Sequence, residues 1–236
     1  MLPLRDNIPS RRYPVVTVLL IGLNLAAFGW ELSLGRRLPE ALLPLGIIPV
    51  RYTVREVAGL FSLGEQLAPF FTSMFLHGGW VHLLGNMWTL WVFGDNVEDG
   101  LGRGRYLVLY VFGGLAASLL HILTNPDSTV PTIGASGAIA AVMGAYFRLF
   151  PHAQVETLIP PFIFGPLFVV PAVVFLGWWF ILQFLNGTLR LAADASALGG
   201  VAWWAHIGGF VFGAILGSLA RPKRQYWRRY EAEDWP

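Results

Sequence analysis

Apolar residues fall into six blocks along the chain, at 15–30, 80–93, 106–123, 133–150, 167–185 and 201–220. A membrane-crossing helix needs about 20 mostly apolar residues, so the blocks predict six transmembrane helices. The second and fourth are short for that task, which is tolerable where neighbouring helices shelter their ends. Between the first two lies a long segment, 31–79, with Pro39, Pro44, Pro49 and Pro69, few charges and many Leu, Ile and Phe. It predicts a structured outer loop of short helices resting on or in the membrane interface. The pattern divides the chain into an N-terminal segment at 1–14, one membrane domain at 15–220, and a basic then acidic tail at 221–236. The expected fold is all-α, a polytopic bundle of six transmembrane helices.

Composition sharpens this picture. Of 236 residues, 55% are hydrophobic and only 13% are charged, about half the charge of an ordinary soluble domain. Mean hydropathy is +0.58. There is no cysteine, which removes disulfides, thiolate zinc sites and thiol catalysis. The net charge of +2 is small, and the basic residues gather at the ends of apolar blocks, a pattern of membrane topology rather than nucleic-acid binding. No small-x-small cleavage site follows the first block, so it reads as an uncleaved first helix.

With six spans and both termini inside, the inner side carries eleven Lys and Arg, among them Arg5, Arg103, Arg105, Arg148 and the run from Arg221 to Arg229. The outer side carries five: Arg36, Arg37, Arg51, Arg55 and Arg190. This satisfies the positive-inside rule. It also makes the second, fourth and sixth helices run inward from the outer face.

Polar residues placed inside these blocks are costly in hydrocarbon and ask for a reason. Ser136 stands in Gly134-Ala135-Ser136-Gly137 at the head of the fourth block, and His206 lies about five residues into the sixth. His82 and Asn86, one helical turn apart, open the second. All four therefore share the outer half of the membrane. A serine hydroxyl becomes a nucleophile when a base takes its proton, and a Ser–His pair can do this alone. Gly134 and Gly137 would let a substrate backbone approach closely, while His82, Asn86 and the free N–H groups at a helix start would receive an oxyanion. Below His206, Gly209, Gly213 and Gly217 form a stripe of small residues, answered by Gly137, Ala140, Ala141, Gly144 and Ala145 in the fourth block. Such stripes let two helices pack closely, which would bring Ser136 to His206.

Each feature also has a plainer reading. Gly-Ala-Ser-Gly alone is more often a packing site, and a lone membrane histidine more often bonds a neighbouring helix. His77 and His82 could be a metal pair, but no further ligand pattern supports one. Asp95, Glu98 and Asp99, with Arg103 and Arg105, read as a solvated inner turn. Asn24 and Gln183 read as interhelical hydrogen-bonding residues, and His121 and His152 as residues near loop ends.

Taken together, His82-Leu83-Leu84-Gly85-Asn86, Gly134-Ala135-Ser136-Gly137 and Ala205-His206-Ile207-Gly208-Gly209 with Gly213 resemble the rhomboid intramembrane serine proteases in order and interval. The resemblance covers roughly 14–220 and implies the bacterial-type six-helix form with its site below the outer surface. It implies Ser136 as nucleophile, His206 as general base and later acid, and His82, Asn86 and the Ser136 N–H as oxyanion donors. It implies membrane-anchored protein substrates cut in or near their transmembrane segments, no cofactor, and a bacterial inner membrane with both termini cytoplasmic. Two positions depart from better-known members. Ala68-Pro69 stands where a Trp-Arg pair is frequent, and Ala140 where an aromatic residue often packs on the catalytic histidine. Support for His206 is then expected from Trp203 or Trp204. A fifth helix starting amid Pro160, Pro161, Pro166 and Pro171 is a candidate lateral gate, and the loop 186–200 a candidate cap. The alternatives are a non-catalytic relative that binds and escorts membrane helices, and a small transporter. Retention of both Ser136 and His206 favours the enzyme, and the lack of core carboxylates or inverted repeats disfavours the transporter.

Overall fold

The computed structural model describes residues 2–158, 167–193 and 200–220. The tail from 221, Pro160, Pro161, Pro166 and the 194–199 part of the expected cap at 186–200 lie outside the described residues. Six long helices carry the architecture: α1 (Val15–Leu34), α6 (Trp80–Leu101), α7 (Arg103–Thr124), α8 (Ser136–Leu149), α9 (Ala172–Ala192) and α10 (Trp203–Leu219). Four short helices, α2 (Leu38–Leu42), α3 (Val50–Thr53), α4 (Arg55–Ala58) and α5 (Leu63–Thr72), occupy the segment after α1. Among the described residues, three stretches are long and apolar enough to cross a membrane: Val15–Leu42, Arg103–Thr124 and Ala172–Ala192. Ser136–Leu149 and Trp203–Leu219 are shorter apolar helices.

The centre of the molecule is α8. Eleven of its fourteen residues are buried, and it packs against α6, α7, α9 and α10. Its tightest partner is α10. A methyl group added at Gly209 would overlap the carbonyl of Gly137, one at Gly213 that of Ala141, and one at Gly144 that of Phe210. The two backbones are in direct contact, so the close approach expected from the small-residue stripes is present. Phe93, Tyr106, Tyr110, Tyr146 and Phe150 are fully buried or nearly so and give the core its aromatic volume. Outward-facing Leu, Trp, Phe and Val on α1, α7 and α9 remain exposed, as lipid-facing surfaces must.

Four expectations need correction. First, the fold is mostly helical but not purely so: β1 (Leu2–Asp6), β2 (Gln154–Leu158) and β3 (Phe168–Pro171) form a small antiparallel sheet in the order β1-β2-β3. β3 sits inside an apolar block, where four residues cannot be told from a helix start by hydropathy. Second, α6 runs through Asp95, Glu98 and Asp99 to Leu101 rather than breaking there. Glu98 is buried, accepting hydrogen bonds from Val16 N–H (3.0 Å), Thr17 N–H (2.8 Å) and the Thr17 hydroxyl (2.9 Å). It satisfies orphan donors at the start of α1, which has no side-chain cap of its own. Third, α8 begins only at Ser136, so the block at 133–150 overstates it. Fourth, α9 begins after Pro171 and continues as regular helix through Ala192, so 186–192 is helix and not loop.

Candidate active site

The chain around Ser136 is shaped by its glycines. Gly134 has φ of +132°, a region costly for any residue with a side chain. A Cβ there would also lie 2.7 Å from Cε1 and Nε2 of His82. Glycine therefore permits both the turn into α8 and the close seat of the His82 ring. The Gly134 N–H donates to the Ser73 carbonyl at 2.8 Å, which ties this turn to the end of the first loop. Ser136 follows as the first residue of α8, where backbone N–H groups lack helical partners.

His206 comes to Ser136 from α10. Its Nε2 lies 2.8 Å from Ser136 Oγ, and its Nδ1 lies 2.8 Å from Oε1 of Gln183 on α9. The ring leans on Trp179, with centroids 5.8 Å apart and planes inclined by 34°, and meets the edge of Trp203 at 6.4 Å. Ala140, by contrast, is buried beneath Gly209. The aromatic support absent at Ala140 is thus supplied by Trp179. Trp203 contributes as expected, whereas Trp204 packs on Phe184.

His82 and Asn86 reach the same cavity from α6. The Gly78 N–H points at His82 Nδ1 over 3.4 Å, which leaves the His82 Nε2 side as the donor beside Gly134. Asn86 has a partner that sequence reasoning missed: its Nδ2 is 3.0 Å from His77 Nε2, and His77 Nδ1 lies 3.3 Å from the Phe75 carbonyl. The consistent assignment has Asn86 donating to His77 and His77 donating to Phe75. His77 is buried in the loop before α6, and burial beside His82 holds its imidazole down at about 4, so it stays neutral. Glu31, at the end of α1, accepts from the His77 N–H at 3.0 Å. A metal reading of His77 and His82 finds no third ligand among the described residues, and their rings meet edge to face instead.

Ser136, His206, His82 and Asn86 line one cavity of about 890 Å³, bounded by residues of α6, α7, α8 and α10. Gly137 is its floor, where a Cβ would fall 2.6 Å from Ala117 Cβ. His121 also lines it, bonded through Nε2 to the Thr132 hydroxyl at 2.8 Å. Its position near a loop end offered no sign of this. Arg190, near the end of α9, lies at the rim with Gly200. Chemically, the site offers a hydroxyl hydrogen-bonded to an imidazole, with N–H donors and aromatic rings beside it. That set fits acyl transfer through a serine.

The model of the Rhomboid domain family matches residues 64–223. Rhomboid protein 1, mitochondrial, from Saccharomyces cerevisiae is 29% identical over 225 residues, covering 92% of this chain and 57% of the yeast protein. Presenilin-associated rhomboid-like protein A, mitochondrial, from Danio rerio is 28% identical over 190 residues, 77% of this chain and 44% of its own length. Rhomboid protease GluP from Bacillus subtilis is 29% identical over 207 residues, 86% of this chain and 35% of its own. The chain thus spans about half the length of the first two relatives. The family match covers most of the membrane helices and every motif that meets in the cavity, and the chain belongs to the rhomboid family of membrane proteins.

Proposed function

We propose that this chain is an intramembrane serine endopeptidase that hydrolyses peptide bonds in or near the transmembrane segments of membrane-anchored proteins. The observation that carries this reading is the 2.8 Å contact between Ser136 Oγ and His206 Nε2 in a cavity rimmed by donors. In the reaction, His206 Nε2 takes the hydroxyl proton as Oγ attacks the scissile carbonyl carbon. The oxyanion is received by the Ser136 N–H, the His82 Nε2–H and Asn86. His206 then returns the proton to the leaving amine; a water that gives its proton to His206 attacks the acyl-enzyme ester, the acyl–Oγ bond breaks, and the proton passes to Oγ as the new carboxyl end departs.

The six long helices are read as six spans of one membrane domain at 15–220, flanked by cytoplasmic segments at 1–14 and 221–236. Their short members suit that role. Fourteen residues make α8 about 21 Å long, less than the roughly 30 Å hydrocarbon core, so Ser136 would sit recessed from the outer surface. α5 exposes Leu63, Leu67 and Phe71, which supports an interfacial seat for the first loop. The basic residues favour cytoplasmic termini, and the bacterial cell membrane is the proposed location. α9 is the proposed gate for a substrate helix. No nucleic acid and no cofactor enter this reading.

The test is labelling by a serine-directed fluorophosphonate in wild type, Ser136→Ala and His206→Ala. Labelling of wild type alone is expected. An unreactive Ser136 in folded wild-type protein would favour a non-catalytic relative that escorts membrane helices.

A further inference from the structure

Gln183 is a neutral side chain buried halfway along α9, with its amide against the back of the catalytic imidazole. We propose that Gln183 is a positioning residue that fixes the tautomer of His206, leaving Nε2 bare toward Ser136. The inference rests on the dyad reading above and adds to it a third side chain, from a different helix.

The orientation of the amide decides the matter. Gln183 Nε2 lies 3.3 Å from the Trp179 carbonyl, one turn earlier in the same helix. A carbonyl only accepts, so the group facing it is the amide nitrogen, and Oε1 is left pointing at His206 Nδ1 over 2.8 Å. Oε1 is itself only an acceptor. Nδ1 therefore carries the proton, and a neutral imidazole with one N–H has its lone pair on Nε2. That atom is the one 2.8 Å from Ser136 Oγ. A flipped amide would set two carbonyl oxygens against each other at Trp179, and would leave Nε2 protonated and unable to accept from serine.

The neighbouring rings cannot do this work. Trp179 and Trp203 restrict how the imidazole turns, but neither presents an acceptor to Nδ1. Among the described residues, Gln183 supplies the hydrogen bond to that nitrogen. An uncharged acceptor also suits the place. A carboxylate buried there would pay a desolvation cost that an amide avoids. Gln183 thus gives orientation without a buried charge.

The experiment uses the full chain in lipid nanodiscs, with Gln183→Met to remove the acceptor at similar length and Gln183→Glu to restore it. Two quantities are read: the rate of Ser136 modification by a fluorophosphonate, and the ¹⁵N NMR tautomer signature of His206 in ¹⁵N-histidine-labelled protein. Gln183→Met should slow modification by at least about tenfold, a fraction of what general-base catalysis supplies, with the melting temperature recording that the fold is kept. Gln183→Glu should recover most of the rate. Wild type should show protonated Nδ1 and bare Nε2, and Gln183→Met a mixture of tautomers. A folded Gln183→Met protein modified at the wild-type rate, or a wild-type signal with Nε2 protonated, would overturn the proposal. Wild type that resists modification yet keeps the Nδ1–H signature would overturn the peptidase reading, while supporting the hold of Gln183 on the ring.

Discussion

Gly209 of α10 rests on the backbone carbonyl of Gly137 of α8, one turn below the point where His206 meets Ser136. The glycine pair sets the distance between the two helices, and that distance sets how closely His206 approaches Ser136. A Gly209→Ala methyl has to displace backbone, since no flexible side chain stands in its way. We expect a loss of about 1–3 kcal/mol of stability and a marked fall in fluorophosphonate modification of Ser136. Melting in detergent and modification rate check the two effects together. An unchanged rate would show that the helices absorb the methyl without parting.

Not every glycine is so placed. Gly29 in α1 has nothing within 4 Å of an added Cβ, whereas Gly144 meets the Phe210 carbonyl. Gly29→Ala should leave stability level or raise it by about 0.5–1 kcal/mol through helix propensity. Gly144→Ala should destabilise. Equal melting temperatures for these two variants would contradict the packing described.

Glu98 is a cap supplied by one helix to another. Its carboxylate takes three hydrogen bonds from Val16 and Thr17 while only 3% exposed. Glu98→Ala would strand buried donors at the start of α1, at an expected cost of about 2–4 kcal/mol. Glu98→Gln keeps one acceptor and should lose less. Chemical or thermal unfolding of the three proteins orders them.

Two groups outside the spans tie stability to pH with opposite signs. His77 is held at about 4 against an ordinary 6.5, so between those values the unfolded chain binds more protons. Its contribution is complete above about pH 6.5 and is lost as pH falls toward 4. Asp6 is the reverse. Burial pushes its carboxyl up to about 7, against an ordinary 3.8, despite hydrogen bonds from Tyr146 and Asn96. The folded state then holds the proton longer, and this contribution is present below about pH 3.8 and lost as pH rises through 7. The two windows overlap between about pH 4 and 6.5 with opposite slopes, so stability there should fall with rising pH in His77→Gln, where Asp6 is left to titrate, and rise with pH in Asp6→Ala, where His77 is; melting temperatures across that range check both.

Much of the site was legible because membranes penalise polar atoms. Ser136, His206, His82 and Asn86 stood out in apolar blocks, and the spacing of Gly209 and Gly213 named the helix they would meet. Gln183 stood out equally, but one polar residue in an apolar block has no direction, and its partner depends on how α9 turns against α10. The role of Trp179 was hidden for the same reason. Glu98 was misread because a charge at the end of an apolar block looks the same whether it meets water or a neighbouring helix start. The sheet was missed because its pairing joins residues 2–6 to 154–158, and Arg5 to Glu156, across most of the chain. Local hydropathy carries no record of such pairings.

The sheet has a mechanical effect on α9. β3 runs straight into this helix at Pro171, and the Ala172 N–H is fastened to the Ala153 carbonyl at 2.7 Å. In the gate proposed for α9, that end would be the fulcrum and the rest of the helix the lever. Gln183 lies eleven residues along it, about 16 Å out, so a rigid tilt of about 10° carries the amide roughly 3 Å from His206. A helix that swings aside thereby lets go of the imidazole, and one that swings back takes hold of it again. Under the gate proposed above, entry to the cavity and the orientation of His206 become two readings of a single angle.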